Sequence, residues 1–231
     1  MIFLAHHKCA STLLYRWVAE LARLNGLSFF TSHLGTATPS TAHDVSLLTN
    51  AVYARVAGAS ALHVIRNPMS VVVSAWHSHR DTHDDAGWPE LVAQRAVLRG
   101  LDRTEGTMRT IAFCESDAFY AGTPGPLAQL GAWDFDDSRI ATVRMEDFGD
   151  DPGAVLRSVP GNPELICPDP TAFTFRALSG GRARGELDDA SHYRSGDAEA
   201  WRVELPIAAQ DHLRARYRDL FERFYPDALT D

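Results

Sequence analysis

Short apolar runs alternate with apolar positions at helical spacing along the first third of the chain. Residues 1–5 form an apolar run of strand length, and residues 13–24 carry apolar side chains at helical spacing before Asn25-Gly26 ends the pattern. The same signals predict a second strand at 27–30 and a third at 61–65. Strands and helices that alternate in this way predict a parallel sheet with helices on both faces.

Most other apolar positions in the chain recur at helical spacing, which is consistent with a parallel sheet covered by helices. A helix with apolar positions over 45–56, extending up to Gly58, separates the second and third predicted strands. A further helix begins near Pro68, and the later elements are helices over 88–100, 104–120, 155–159 and 208–224 with a fourth strand at 140–145. The stretch 180–201 is polar and contains glycine, which predicts a flexible loop. A chain of 231 residues is expected to form a single domain over 1–231.

Composition narrows the possible partners. The net charge of −8 argues against nucleic acid or an anionic membrane as a partner, so an anionic ligand requires a local basic cluster. Three widely spaced cysteines, with no Cys-x-x-Cys pair, fit reduced thiols. No targeting or membrane-spanning segment is recognisable. We therefore expect a cytoplasmic protein.

The loop at residues 6–12 is the first candidate for chemistry. A strand, a tight loop and a helix in sequence direct backbone N–H groups and the positive end of a helix dipole at one point, and this arrangement binds phosphate. Ser11 and Thr12 add hydroxyl donors, and Lys8, the sole lysine beside 21 arginines, adds a compact charge. A chance surface lysine is the alternative. The loop is not a Walker A motif, because Lys8 precedes Cys9 rather than a hydroxyl residue.

A second candidate is the junction at residues 63–76. Arg66 closes the predicted strand, and Ser74 follows eight residues later in a helix that begins near Pro68. A guanidinium can bind a terminal phosphate through two hydrogen bonds while a serine hydroxyl donates another. The alternative is an ordinary strand-to-helix junction with an ion-paired arginine.

These two segments together resemble the sulfotransferases that use 3′-phosphoadenosine 5′-phosphosulfate (PAPS). Residues 7–13 resemble the 5′-phosphosulfate loop of that family, with His7, Ala10 and Leu13 in place of its Pro, Gly and Trp. Residues 63–74 resemble its 3′-phosphate segment, and 193–196 resemble the segment that closes over the 3′-phosphate. The resemblance implies that PAPS is bound by Lys8, Cys9, Ala10, Ser11, Thr12, Arg66, Ser74, Arg194 and Gly196.

The resemblance also implies a fold and an activity. The family fold is α/β, a three-layer α/β/α arrangement around a mostly parallel sheet, similar to the P-loop nucleotide hydrolases. The reaction is in-line transfer of a sulfuryl group from PAPS to a hydroxyl or amine of a small-molecule acceptor, which leaves adenosine 3′,5′-bisphosphate (PAP). Lys8 is expected to stabilise the leaving phosphate. Met145 replaces the Tyr that commonly lies near the nucleotide.

A general base is needed to remove the acceptor's proton. The segment Thr31-Ser32-His33-Leu34 resembles the one that carries the family's catalytic histidine, so His33 is the predicted base, next to the phosphate loop if the first two strands are neighbours. His77, His79 and several carboxylates are reserves, and a structural histidine is the alternative. The histidines in 77–83 lack a convincing metal-ligand spacing, and we expect no metal.

Two other functions are compatible with this type of fold. A P-loop-type nucleotide kinase should carry a Lys directly before Ser or Thr, which this sequence lacks. A non-catalytic nucleotide-binding protein should keep Arg66 and Ser74 while losing Lys8 or the base. The presence of Lys8 favours the sulfotransferase.

Overall fold

The computed structural model describes residues 1–158 and 164–230. They form two compact units, which are described separately. The first comprises Met1–Arg66 and Ala132–Ala183, and the second comprises Asn67–Gly131 and Arg184–Asp231. That the whole chain is one domain stays a prediction.

The strands all belong to the first unit, and the helices are divided between the two units. The strands are β1 (Ile2–Ala5), β2 (Phe29–Ser32), β3 (Val45–Leu48), β4 (Ala61–Ile65) and β5 (Ile140–Arg144). The α-helices are α1 (Ser11–Leu24), α2 (Tyr53–Val56), α3 (Pro68–His77), α4 (Pro89–Leu98), α5 (Arg103–Cys114), α6 (Pro126–Gly131), α7 (Met145–Asp150), α8 (Pro152–Ser158), α9 (Phe175–Leu178), α10 (Trp201–Glu204), α11 (Ile207–Arg216) and α12 (Arg218–Phe224).

The sheet of the first unit is parallel throughout, with strand order β2-β3-β1-β4-β5. The first strand is therefore central, between β3 and β4. Ligands of open parallel sheets bind beyond the carboxyl ends of the strands, so the loop after β1 lies at the middle of the edge where a ligand is expected. The predicted α/β fold class is confirmed.

Alternate residues of the central strands pack on opposite faces of this sheet. On one face, Phe3 and Val64 lie in a buried cluster with Trp17 and other apolar side chains of α1. On the other face, Leu4 packs in a cluster that contains Trp133 and the apolar end of α2. Helices thus cover both faces, and both faces of β1 and β4 are buried.

The second unit is built from helices. Its centre is α3, which packs against α5, α10 and α11, and a π-helical turn at Ser78–Thr82 follows α3 directly. Gly106 of α5 lets the two helices approach closely, because a Cβ atom there would lie 2.0 Å from the Trp76 ring. None of the helices in the described ranges has the length and apolar character needed to cross a membrane.

Most predicted elements near the motifs are confirmed, and one is wrong. The strands β1, β4 and β5 and the helices α1 and α3 occur where the pattern predicted them. The predicted helix over 45–56 is wrong, because Val45–Leu48 is β3 and only Tyr53–Val56 is helical. All four residues of β3 are buried, so the strand lacks the alternation that identifies half-exposed strands.

Several other boundaries differ from the prediction. The second strand starts at Phe29 rather than at residue 27, and α5 ends at Cys114 rather than at residue 120. The predicted C-terminal helix is divided in two at Tyr217, whose φ of −117° departs from helical geometry. Of the short helix predicted over 155–159, Val159 lies outside the described residues.

Candidate functional site

The loop between β1 and α1 has an unusual backbone. Lys8 and Ala10 both have positive φ, at 65° and 58°. The Cys9 amide donates a hydrogen bond to the His6 carbonyl at 3.0 Å and closes a turn between them. Non-glycine residues rarely adopt this conformation, and it persists only where the surrounding structure holds it in place. The loop therefore combines local strain with a fixed shape.

The first turn of α1 offers the features of an anion site. Its N-cap, Ala10, provides no side-chain hydrogen bond, and there is no acidic residue among the described residues of the first turn. Ser11 and Thr12 begin the helix and are half-buried. The first amides of a helix lack partners within the helix, and its dipole is positive at this end. The residues predicted to hold the 5′-phosphate thus lie together in a setting that suits phosphate.

Arg66 contacts this loop from the end of β4. Its Nη1 donates a hydrogen bond to the Lys8 carbonyl at 3.2 Å. The side chain of Cys9 lies beside it and is fully buried, and burial raises the pKa of that thiol to about 12. Cys9 is therefore a neutral thiol at physiological pH, and it contributes to the loop as a small buried side chain.

A buried histidine pair lies behind the loop and was not predicted from the sequence. The Nε2 atoms of His6 and His63 are 2.8 Å apart, and both side chains are fully buried. The other nitrogen of His63, Nδ1, lies 3.2 Å from the Thr142 hydroxyl, and the His63 ring stacks on Trp133 at 3.9 Å between centroids. Two nitrogens at this distance share one proton. A polar residue in the middle of the apolar run 61–65 was the available signal.

The strand β4 therefore holds the loop at two points. His63 bonds the side chain of His6 where the loop begins, and Arg66 bonds the backbone of Lys8 near its centre. Both contacts come from a strand that is paired directly with β1.

His33 does not lie on a strand next to β1. It follows β2, and β3 separates β2 from β1. His33 was expected next to the phosphate loop if the first two strands are neighbours, and this condition is not met, because the two strand spacings between β2 and β1 correspond to roughly 10 Å. The His33 side chain is exposed, and its carbonyl accepts a hydrogen bond of 2.8 Å from Asn50 Nδ2.

The strand next to β1 on this side of the sheet is β3, and the residues that follow it are Thr49, Asn50 and Ala51. The Ala51 amide donates to the Ala5 carbonyl at 3.0 Å, so this segment runs beside the start of the phosphate loop. Asn50 is buried there and carries no group that can act as a base. This segment was not predicted from the sequence, because the pattern over Val45–Leu48 was interpreted as helical.

The second unit contains the other predicted phosphate ligands. Ser74 lies on α3, and Arg194 bonds the carboxylate of Glu204, which also contacts His77 Nε2 at 2.7 Å. Burial raises the pKa of Glu204, but the hydrogen bonds from His77 and Arg194 outweigh it and lower that pKa to about 2. Glu204 is therefore ionised across the physiological range.

The segment around Gly196 has defined anchors although its composition predicted flexibility. The Gly185 amide donates to the Ser195 carbonyl at 2.8 Å, and Ser70 Oγ of α3 donates to the Ala198 carbonyl at 2.8 Å. Gly196 has a positive φ of 62°, which suits glycine. The segment is thus tied to the first turn of α3.

The reserve histidine His79 belongs to an aromatic cluster. Its side chain is fully buried, and its ring lies within 6 Å of the rings of Trp88, Phe113 and Phe119. Among the residues that the structure describes, no three His, Cys, Asp or Glu side chains are grouped so as to hold a metal ion.

The histidine pair predicts a specific pH dependence of stability. Burial, followed by the charge of His6, lowers the pKa of His63 well below its ordinary value of 6.5. Below pH 6.5, His63 becomes protonated in the unfolded chain but stays neutral in the folded protein. The folded state therefore loses stability relative to the unfolded state as the pH falls. We expect the free energy of unfolding to fall by up to about 1.4 kcal/mol per pH unit between pH 6.5 and 5.

Urea denaturation at several pH values measures this dependence. The window lies above the range in which carboxylates of lowered pKa, such as Glu204, lose their contribution. His63→Gln should show a shallower slope, whereas the exposed control His43→Gln should keep the wild-type slope. Equal slopes for wild type and His63→Gln would exclude His63 as the source of this pH dependence.

The structure resembles solved structures more clearly than the sequence resembles any family. It matches mouse sulfotransferase SULT7A1 complexed with PAP at a TM-score of 0.57 and 13% identity, over 95% of this chain and 84% of that one. It also matches retinol dehydratase in complex with androsterone and the inactive cofactor PAP at a TM-score of 0.51 and 12% identity, over 97% and 81% of the two chains. No protein-family model and no curated protein matches the sequence. This chain therefore has the fold of the PAPS-dependent sulfotransferases.

Proposed function

We propose that this protein transfers a sulfuryl group from PAPS to a hydroxyl or amine of a small-molecule acceptor. The observation that carries the proposal is the loop at residues 6–12, in which the only lysine of the chain stands before an uncapped helix N-terminus. The fold supports it, because two solved structures that share the fold contain PAP.

Sulfuryl transfer requires that the negative charge on one oxygen, the bridging phosphate oxygen of PAPS, be stabilised. The acceptor oxygen or nitrogen bonds to sulfur while the bond from sulfur to the bridging phosphate oxygen breaks, and the electron pair stays on that oxygen. In the proposal, Lys8 and the amides at the start of α1 neutralise this charge. The backbone that carries these groups is fixed by the contacts of Arg66 and His63, so little reorganisation is needed when the charge develops. Phosphoryl transfer relies on the same two effects, positioning and electrostatics.

The proposed ligands of the 3′-phosphate are those that the family resemblance implies, Arg66, Ser74, Arg194 and Gly196. Two arginines, a hydroxyl and a glycine backbone are suited to a dianionic phosphate. AMP lacks this phosphate, so preference for PAP over AMP measures the contribution of these residues directly.

His33 is the proposed general base. Its exposed side chain is accessible to an acceptor, and the resemblance of its segment to the family's histidine segment supports the proposal. The intervening strand β3 requires that the acceptor extend across the sheet edge to reach it.

Calorimetry tests the nucleotide assignment. PAP should bind more tightly than AMP by about 1.5–3 kcal/mol, the range for hydrogen bonds to a charged group. Ser74→Ala should reduce this difference, whereas Ser78→Ala, in the turn that follows α3, should not. Equal affinities of the wild-type protein for PAP and AMP would refute the proposed cofactor.

Lys8→Ala tests the leaving-group role. We expect the single-turnover rate of sulfuryl loss from bound radiolabelled PAPS, measured with a panel of phenol and alcohol acceptors, to fall by ~10²–10³-fold. Affinity for PAP should fall by less, because the charge matters most as the phosphate leaves. Arg16→Ala removes an exposed cation from the same helix and serves as the control. A wild-type rate in Lys8→Ala would exclude the role, and wild-type protein that binds PAP but never transfers sulfate would indicate a binding protein instead.

His33→Ala tests the proposed base in the same assay. The rate should fall by ~10²–10⁴-fold, as for loss of general-base catalysis, while affinity for PAP is retained. His43→Ala removes another exposed histidine of the first unit and should leave the rate unchanged. If His33→Ala keeps the wild-type rate, the base lies elsewhere.

A further inference from the structure

Glu204 is the centre of a half-buried ionic cluster in the second unit. One carboxylate oxygen accepts a hydrogen bond from Arg194 Nη2, and the other lies 2.7 Å from His77 Nε2. The three side chains are only 15–17% exposed. Both carboxylate oxygens of Glu204 are therefore in contact with a partner. One partner is His77 on α3, and the other is Arg194 in the segment that contains Gly196.

This cluster differs from the surface ion pairs of the chain. Arg23–Glu20 and Arg218–Glu222, for example, have arginine side chains 67% and 70% exposed. Exposed pairs of that kind hold their partners weakly, whereas an ion pair sheltered from water loses much more when one partner is removed. The Arg194 guanidinium is therefore held where Glu204 places it. Asp189 adds only a long contact of 3.6 Å from an exposed carboxylate.

The cluster also links two of the proposed 3′-phosphate ligands. His77 follows Ser74 by three residues on α3, so the two side chains lie on the same face of the helix. From His77 the connection runs through Glu204 to Arg194. The bond from Ser70 to the Ala198 carbonyl ties the same segment to α3 one turn earlier. The position of the guanidinium relative to Ser74 is thus set by contacts within one unit.

We propose that Glu204 is a positioning residue that fixes the Arg194 guanidinium for the 3′-phosphate, and so sets the preference for 3′-phosphorylated nucleotides. The inference rests on the proposed function, since it assumes that Arg194 binds that phosphate. A guanidinium has five N–H donors, so a carboxylate and a phosphate can share it. Glu204 acts here through the length of its side chain, which brings the carboxylate to Arg194. Its negative charge by itself opposes phosphate binding.

Two conservative variants separate reach from charge. Glu204→Asp keeps the charge but withdraws the carboxylate by one methylene, and Glu204→Gln keeps the reach and removes the charge. We expect Glu204→Asp to lower the ratio of PAP affinity to AMP affinity by about tenfold, the size of one charged hydrogen bond, with AMP affinity unchanged. Glu204→Gln should keep the ratio within about threefold. Glu199→Asp, in the exposed pair with Arg202, is the control.

The Arg194→Ala background completes the test. Once the guanidinium is absent, Glu204→Asp should cause no further loss of the ratio. An unchanged ratio in Glu204→Asp, or a fall of about tenfold in Glu204→Gln as well, would overturn the inference while the cofactor assignment stands. A wild-type protein that binds PAP and AMP equally would instead overturn the proposed function, and this inference with it.

Discussion

The candidate site depends on the contacts that His63 and Arg66, at β4, make with the loop after β1. A loop with Lys8 and Ala10 at positive φ is not stable by itself, because non-glycine residues disfavour this conformation. Strand β4 compensates through a buried imidazole pair at one end and a guanidinium-to-carbonyl bond in the middle. The parallel pairing of β1 with β4 brings both contacts into register. Sheet order, loop shape and the direction of the first amides of α1 are therefore one connected feature.

The proposed anion site has to operate in an acidic protein. A net charge of −8 gives no general attraction for a phosphate, so attraction must arise locally. The helix N-terminus, Lys8 and Arg66 concentrate positive charge at one loop, and no acidic side chain is present in the described first turn of α1. In the second unit, Glu204 lies beside Arg194 and the cluster carries its own counter-charge. The loop in the first unit thus concentrates positive charge, whereas the arginine in the second unit is already balanced by a carboxylate.

The sequence predicted the parts of this protein that depend on local pattern. The strand-loop-helix units around Lys8 and Arg66 were identified because an apolar run, a polar break and helical spacing follow directly from residue order. Strand order was not predictable, because β3 is buried on both faces and resembles a helix segment, and so the sequence left open whether His33 lies on a strand next to β1. The His6–His63 pair and the role of Glu204 depend on contacts between distant segments, which residue spacing does not encode.

A crystal structure of the protein with PAP most directly tests whether the loop held by β4 binds the 5′-phosphate. We expect the 5′-phosphate at the start of α1, with its oxygens about 2.7–3.2 Å from the amides of Ser11 and Thr12 and with Lys8 in contact. We also expect the loop to keep its backbone and its bonds to His63 and Arg66, because the site is formed before the nucleotide arrives. A 5′-phosphate bound away from this loop, or a loop that abandons both contacts with β4 to bind it, would contradict the account.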